Sequence, residues 1–307
     1  MRSWLYLGLS ILSLQFLCPT KTSAQSVDAG HEELRQFRLD SIPLARVGDD
    51  PEEALYDVCG IVVLSGGRLV IGESSTNTIR LYDSEGSLRK VVGRFGEGPG
   101  EFTRLYWVRR YRDRLFAYDS SKRRLSEFTL EGDLVGTVTV NPVPPYVAAL
   151  VTGVFSDGSL LVRGIAMPQS PPHPVVRREE TALLRYDRNG IFLRQIGTFI
   201  GSEAFVAPRP SGGYSASLPV FARRSDLVVD GPHIVTVDNV TPQIQIHDQD
   251  GRTLPNLEPL GGREPREVSD RDVKRMRTRF LVEEKAGDTS LANLFDQMPI
   301  PETFPFY

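Results

Sequence analysis

The sequence has little cysteine, almost no charge surplus and no long hydrophobic run, and each shortage excludes a class of protein. Two cysteines in 307 residues cannot build a disulfide-rich scaffold. With 36 basic and 39 acidic residues the net charge is −3, so no basic surplus is available for nucleic-acid phosphates. The longest apolar run, over residues 5–17, is shorter than the roughly 18 residues of a membrane span. We therefore expect a globular protein without nucleic-acid partners or a membrane span.

The amino terminus has the pattern of a secretory signal peptide. Arg2 precedes the apolar run at 5–17, and residues 22–24 are the small polar and apolar residues of a cleavage site. We expect residues 1–24 to be removed after Ala24 and the rest of the chain to be secreted or periplasmic.

The two cysteines have different predicted fates. A lipid anchor on Cys18 is the alternative to cleavage after residue 24, but the bulky Leu17 before it disfavours such processing. Once the leader is removed, Cys59 is the only cysteine and cannot form an intramolecular disulfide. Its apolar neighbours predict a buried structural thiol rather than a nucleophile.

Residues 57–262 repeat a unit of four short strands joined by tight turns. The first copy has apolar strands at 60–64, 68–71, 78–82 and 87–92, separated by turns that contain Gly or Asp. The last hairpin of each copy turns on a glycine, namely Gly86, Gly132, Gly190 and Gly251. Insertions at 168–178 and 207–217 lengthen the later copies and are predicted to be loops. This pattern predicts an all-β β-propeller of four-stranded antiparallel blades.

The carboxyl-terminal part departs from the repeat. Ser269 and Asp272 form a capping box, and an apolar stripe follows, so we predict an amphipathic helix over 270–284 and a second short helix around 291–297. The predicted divisions are a signal peptide at 1–24, propeller blades at 25–262, a helical insertion at 263–298 and the start of a truncated further blade at 299–307.

The most specific string is Gly-Arg-Phe-Gly-Glu-Gly-Pro-Gly-Glu-Phe at 93–102. Its glycines permit positive φ, and Phe102 can lie between neighbouring blades. The string resembles the inter-blade linker of NHL-repeat propellers and of the bacterial exported six-bladed β-propeller family. Residues 197–205 look like a degenerate second copy, and Gly261 with Gly262 like the remnant of a third.

The resemblance implies six blades, with residues 42–47 as an amino-terminal strand that completes the last blade. The repeat supplies four blades, so we expect a propeller of the six-bladed type that is incomplete at its carboxyl end.

No residue set has the pattern of a catalytic or metal site. The linker contains neither Gly-x-Gly-x-x-Gly nor Gly-Lys-Ser/Thr, which excludes a phosphate loop. The four histidines form no His-x-x-x-His pair, although His233 and His247 could share one face of a hairpin. The acidic turns that start at Asp83, Asp187 and Asp248 lack the alternation of an EF-hand loop, so we predict tight hairpins. We therefore assign no catalytic, cofactor-binding or metal-binding residues and no cofactor.

Basic residues are concentrated in the second blade. They are Arg109, Arg110, Arg112 and Arg114, followed by Lys122, Arg123 and Arg124. A solvated blade edge is the favoured interpretation of this local basic patch, and an anionic ligand is the alternative.

The sequence favours an exported binding or scaffold module with an unknown protein, peptide or glycan ligand, because propeller loops surround a central channel. We lean against enzymatic activity but leave it open. One alternative is a lactonase-like propeller hydrolase or lyase with a metal near the channel. Another is a truncated gene product without a function.

Overall fold

The computed structural model describes residues 45–48, 53–167, 171, 173–208, 212–240, 243–255, 266–283 and 295–305. All of them fall within the unit Leu44–Tyr307. The predicted signal peptide at 1–24, its cleavage after Ala24, the alternative anchor on Cys18 and the pair Gly261 and Gly262 lie outside the described residues. Within the described ranges, no helix has the length and apolar character needed to cross a membrane.

Two sheets have the four-stranded antiparallel order that the repeat predicts. Blade 1 contains β1 (Val58–Val63), β2 (Leu69–Glu73), β3 (Thr78–Tyr82) and β4 (Leu88–Val92). Blade 2 contains β5 (Leu105–Tyr111), β6 (Arg114–Asp119), β7 (Arg124–Thr129) and β8 (Leu134–Thr139). In both sheets each strand pairs with the next one along the chain, which confirms the predicted all-β blades.

The other two sheets depart from this size in opposite directions. Blade 3 has five strands, β9 (Tyr146–Val154), β10 (Leu160–Ala166), β11 (Val175–Tyr186), β12 (Phe192–Pro208) and β13 (Tyr214–Ser217). Blade 4 has three, β14 (Ser225–Asp230), β15 (His233–Asp238) and β16 (Gln243–Asp248). The weaker last strand predicted after Gly251 is reduced, among the described residues, to a bridge between His247 and Thr253.

The blades pack on one another through apolar side chains that alternate along the strands. The core between blades 1 and 2 surrounds Phe102, which is fully buried, so its predicted position between blades is confirmed. The core between blades 2 and 3 includes Trp107 and Tyr118, whose rings stack at a centroid distance of 5.8 Å. A third core around Phe155 joins blades 3 and 4.

Two segments predicted to be loops contain strand. The insertion at 168–178 overlaps β11, and the insertion at 207–217 includes β13. The interpretation of 197–205 as a linker copy was wrong, because these residues run through β12 and pair with β11 from Gly197↔Leu183 to Phe205↔Val176. The glycine and serine residues of this stretch resemble those of a linker, but its pairing with the long strand β11 makes it a strand.

The helix predicted at 270–284 is confirmed as α1 (Asp270–Glu283). Its capping box is present, since the Ser269 backbone N–H donates to Asp272 Oδ2 at 3.1 Å and the Asp272 N–H donates to Ser269 Oγ at 3.4 Å. Of the second predicted helix at 291–297, only residues 295–297 are described, and they are helical.

A separate apolar core, here named the cap, lies beyond the end of blade 3. Phe205 and Ala207 of β12, Val220, Phe295 and Met298 form its buried centre, and Val273 and Met276 of α1 pack against it. Residues 302–304 pair with 266–268 through a bridge between Glu267 and Thr303. The division at 262 and 263 and that at 298 and 299 stay predictions.

The hairpin glycines show how consecutive blades fit together. A Cβ on Gly190 would lie 2.5 Å from the Thr139 carbonyl oxygen of β8, and one on Gly251 would lie 1.8 Å from the Ile196 carbonyl oxygen of β12. In blade 1, a Cβ on Gly86 would lie 2.3 Å from the carbonyl oxygen of Arg46. In blades 3 and 4 the hairpin glycine faces the outer strand of the preceding blade. Arg46 therefore occupies, relative to blade 1, the position of such an outer strand.

Arg46 belongs to the strand predicted at 42–47. Residues 42–44 lie outside the described ranges, and residues 45–47 form no strand ladder. The contact with Gly86 is nevertheless the one that the predicted role of this segment requires.

Candidate functional site

The end of the blades at which β1, β5 and β9 begin is named the upper face. The turn between β2 and β3 lies there too, because the Leu105 N–H at the start of β5 donates to Asn77 Oδ1 in that turn at 2.8 Å. The end of β10 is also at this face, since Ala166 pairs with Tyr146. The opposite end, where the hairpins β3–β4 and β11–β12 turn, is named the lower face.

The upper face carries exposed aromatic and apolar side chains. Tyr56 precedes β1, Phe95 lies in the linker to β5, Tyr106 and Val147 are the second residues of β5 and β9, and Met167 follows β10. Their exposed fractions run from 45% for Tyr106 to 79% for Tyr56. These five residues are named the upper-face apolar set. Motif spacing in the sequence does not single out these residues, although an aromatic residue beside the start of an inner strand is a signal for two of them, Tyr56 and Tyr106.

The most buried carboxylates of the upper face stabilise turns. Glu73, at the end of β2, accepts hydrogen bonds from the Tyr56 N–H and from Ser75, and it pairs with Arg80 at 2.7 Å. Asp119, at the end of β6, accepts the backbone N–H groups of Thr103, Ser121 and Lys122 at 2.7 to 3.0 Å. Such full coordination by the protein leaves these groups a structural role.

The acidic hairpins are structural as predicted. Asp83 Oδ1 accepts the N–H groups of Glu85 and Ser87, both at 2.9 Å, and Asp187 and Asp248 make the same pair of bonds in their turns. In all three, hydrogen bonding to the backbone lowers the carboxyl pKa. In each turn Oδ1 of the Asp therefore serves as the acceptor that closes the tight hairpin.

The glycine linker is also held by its own groups. Glu101 accepts the Gly98 N–H at 2.8 Å and pairs with Arg94 at 2.6 Å. A Cβ on Gly96 would collide with the Glu101 carboxylate, so a larger residue there would have to displace this side chain from its contacts with Gly98 and Arg94. These contacts make the string a tight connection between blades.

The two histidines that could have shared a face do not. His233 pairs with Asp248 and His247 pairs with Ile234, and a register offset of one residue puts the two imidazoles on opposite faces of the sheet. His31 lies outside the described residues. In the described ranges no three His, Cys, Asp or Glu side chains are grouped as metal ligands.

Cys59 lies in β1 with its Sγ beside Gly72, and it is half-buried rather than fully buried as predicted. Burial raises the pKa of this thiol to about 11, so it is protonated at neutral pH. This agrees with the predicted structural role, because a nucleophilic cysteine needs a lowered pKa.

The basic residues of blade 2 do not form one patch, contrary to the prediction. Arg112 lies in the lower-face turn between β5 and β6, whereas Lys122 and Arg124 lie at the upper face with Glu97 as their neighbour. The six residues of β6 separate the two groups by about 20 Å. Proximity in sequence was misleading because a strand spreads its neighbours apart.

Arg109 differs from the rest of that group by pointing towards the inner strands of blades 3 and 4. Its guanidinium lies 5.2 Å from the centroid of the Trp107 ring, and Nη1 donates to the Thr152 carbonyl of β9. Burial lowers the pKa of Arg109, and among nearby charges Arg163 lowers it while Asp226 raises it. The hydrogen bond to Thr152 places the Arg109 guanidinium against β9, the inner strand of blade 3.

These geometries define a β-propeller built from antiparallel blades. Residues 51–152 match the model of a family described as a 6-bladed beta-propeller, which confirms the resemblance to six-bladed propellers over blades 1 and 2 and the start of blade 3. No curated protein matches the sequence.

Three solved structures illustrate what the chain is similar to. An exported protein from Bacteroides fragilis has 11% identity and a TM-score of 0.36, over 82% of this chain and 89% of that one. Virginiamycin B lyase from Staphylococcus aureus has 12% identity and a TM-score of 0.31, over 68% and 87%. A gluconolactonase from Xanthomonas campestris has 11% identity and a TM-score of 0.36, over 68% and 77%.

Proposed function

We propose that the chain is an exported β-propeller that binds a protein, peptide or glycan partner through the upper-face apolar set. The observation that carries this proposal is that Tyr56, Phe95, Tyr106, Val147 and Met167, from blades 1 to 3 and one linker, are exposed at the same end of the blades. Aromatic and methionine side chains are enriched at binding surfaces because they offer large contact areas with few rotatable bonds.

The lower face provides a matched comparison. Ile191 and Leu193, at the start of β12, are 62% and 52% exposed, which is similar to the upper-face residues. A binding experiment can therefore compare the removal of two exposed apolar side chains from each end of the blades.

Selection of displayed peptides and a glycan array, each probed with the purified chain, tests this proposal. We expect the selected ligands to bind the double variant Phe95→Ser and Tyr106→Ser at least about tenfold more weakly, which corresponds to about 1.4 kcal/mol. The matched variant Ile191→Ser and Leu193→Ser should retain wild-type affinity. Equal loss in both variants, or no ligand from either library, contradicts the proposal.

Export is the second part of the proposal, and it depends on the leader at 1–24. Expression with the leader in a bacterial host, followed by amino-terminal sequencing of the extracytoplasmic fraction, should give a chain that begins at Gln25. A chain that retains Met1 in the cytoplasm would contradict export. The lactonase-like alternative is tested on the same material, because stoichiometric calcium or zinc in the purified protein would favour it over binding alone.

A further inference from the structure

One side of α1 carries basic residues that the cap does not use. Val273 and Met276 pack against the cap core. Arg271, Lys274 and Arg275 are exposed, and their spacing puts them together on the opposite side of the helix. These three residues are named the basic stripe. They border an open cavity of about 670 Å³.

The cavity beside the basic stripe is positively charged. It is lined by the stripe and by Arg266, Ser269, Asp272 and Thr278. Arg266 donates two hydrogen bonds to Asp272, at 3.0 and 3.1 Å, so the charges of this pair compensate each other. Glu267 and Asp270 are the other acids near the start of the helix, and neither lines the cavity. Four bases and one acid therefore give the lining a net charge of +3.

The basic stripe has no acidic partner in the described part of the chain. None of its three side chains forms an ion pair there. Two neighbouring arginines do have one, since Arg266 holds Asp272 and Arg277 holds Asp296, each through two hydrogen bonds. The guanidinium groups of this region thus bind carboxylates in a two-bond geometry, and the two in the stripe are without one.

The shape and chemistry of the cavity favour an acidic peptide over other anions. A membrane surface is flat, and the apolar side of α1 packs in the cap, so it cannot insert into lipid. The lining is charged or hydroxylic, and none of its described residues is an aromatic ring on which a nucleic-acid base could stack. Carboxylates two residues apart in an extended peptide are separated by about 7 Å. This spacing is close to the roughly 5 to 6 Å between neighbouring side chains on one side of a helix.

We propose that the basic stripe docks an acidic peptide segment of a protein partner, whose glutamate or aspartate carboxylates bind Arg271, Lys274 and Arg275. Arginine contributes paired N–H donors to such a carboxylate, and lysine contributes a compact charge. Because the contacts are charged and exposed, salt weakens them. The stripe shares no residue with the upper-face apolar set, so either proposal can fail without the other.

Fluorescence polarisation with a labelled oligoglutamate peptide tests the docking site. We expect saturable binding to the purified chain at low ionic strength, which weakens as sodium chloride is added. Oligoglutamine of the same length should not bind. Sedimentation with vesicles of anionic phospholipid is the parallel assay for a membrane surface. Absence of oligoglutamate binding overturns the proposal, whether or not the vesicles bind.

Variants separate the basic stripe from general surface charge. Glutamine has a helix propensity close to that of arginine and lysine, so the stripe variant should keep the helical circular dichroism of α1. We expect it to bind oligoglutamate at least about tenfold more weakly. A control variant that loses three exposed cations elsewhere should bind as the wild type does. Equal weakening in both overturns the proposal. The stripe variant is Arg271→Gln, Lys274→Gln and Arg275→Gln, and the control is Arg104→Gln, Arg123→Gln and Arg188→Gln.

Cross-linking locates the peptide on the wild-type chain and does not depend on the folding of a variant. A carbodiimide joins carboxylates to lysine amines, and Lys274 is the lysine of the basic stripe. Lys90 and Lys122 provide the comparison, since both already pair with acids of blades 1 and 2 or their linker. We expect oligoglutamate to couple to Lys274 in higher yield than to either of them. Equal yields at the three lysines overturn the proposal.

Discussion

Blades 2 and 3 are neighbours with the same order of their first four strands, but their second strands end differently. The pairs Leu115↔Phe128 and Leu160↔Tyr186 are equivalent positions beside the two lower-face hairpins. Four residues further on, β6 ends at the buried Asp119, whereas β10 has Gly164 and continues to Ala166.

The difference shows what limits the length of a blade. Asp119 accepts the N–H groups of Ser121 and Lys122 and so closes the turn, and β7 starts at Arg124. Gly164 has no side-chain acceptor, and the next strand starts only at Val175 as part of a long hairpin. The extra length of that hairpin supports the cap core. The compact blade therefore has a carboxylate that closes its turn at this position, whereas the blade that carries the additional layer has a glycine and a longer connection.

The largest expected effect tests whether the blades and the cap are separate folding units. Phe102 and Phe205 are both buried, one between blades 1 and 2 and the other in the cap. Phe102→Ala should lower the unfolding free energy followed by Trp107 fluorescence by about 3 to 5 kcal/mol.

Phe205→Ala removes an equal ring from the other region. We expect it to shift the Trp107 transition by less than about 0.5 kcal/mol while reducing the helical circular dichroism of α1. If both variants shift the Trp107 transition equally, the blades and the cap unfold as one unit, which contradicts their being separate folding units.

The second prediction concerns the carboxylate itself. Asp119→Ala removes the acceptor of three part-buried N–H groups and leaves a cavity at a fully buried position, so we expect a loss of about 2 to 3 kcal/mol in urea unfolding. Asp119→Asn retains an acceptor oxygen and should lose less. Asp113, which is exposed in the lower-face turn of the same blade, is the control, and its change to Ala should cost less than about 0.5 kcal/mol.

The third prediction separates backbone strain from contact between blades. Gly251 and Gly212 both have positive φ, at 83° and 90°, but only Gly251 faces another chain segment, the Ile196 carbonyl. Gly212→Ala should cost about 1 kcal/mol from the left-handed conformation alone. Gly251→Ala should cost about 2 to 3 kcal/mol, because the methyl group also pushes blade 4 away from β12. Equal losses of unfolding free energy in the two variants would show that the contact between blade 4 and β12 accommodates a methyl group without further cost.

The sequence predicted the regular blades well and the irregular one poorly, for a physical reason. In blades 1 and 2 the local signals agree, since alternating apolar residues are bounded by turns with their own hydrogen bonds, as at Asp83 and Gly86. In residues 197–208 the local composition resembles a linker, and only the partner strand β11 makes it a strand. Pairing with a distant segment is not visible in a local pattern.

The candidate sites were harder to predict because they depend on which end of a strand a residue occupies. Arg109 and Arg112 are three residues apart in sequence, yet Arg109 contacts the inner strand of blade 3 whereas Arg112 lies in a lower-face turn. The alternation of β5, with Trp107 and Arg109 on one side, was the available signal.

The smallest expected effect concerns the lower-face hairpins of blades 2 and 3. Blade 3 turns on Asp187, whose pKa is lowered chiefly by the Ile191 N–H, whereas blade 2 has Thr129, whose Oγ1 accepts the Asp133 N–H at 3.1 Å. A lowered folded-state pKa means that Asp187 stabilises the fold above its unfolded pKa of about 4 and loses this contribution as the pH falls below it. Asp187→Thr copies the hairpin of blade 2 and should reduce stability slightly at pH 7. The difference from wild type in urea midpoint should then shrink as the pH falls through about 4 towards 2. A difference that stays constant over this range would show that the charge of Asp187 contributes nothing to the turn.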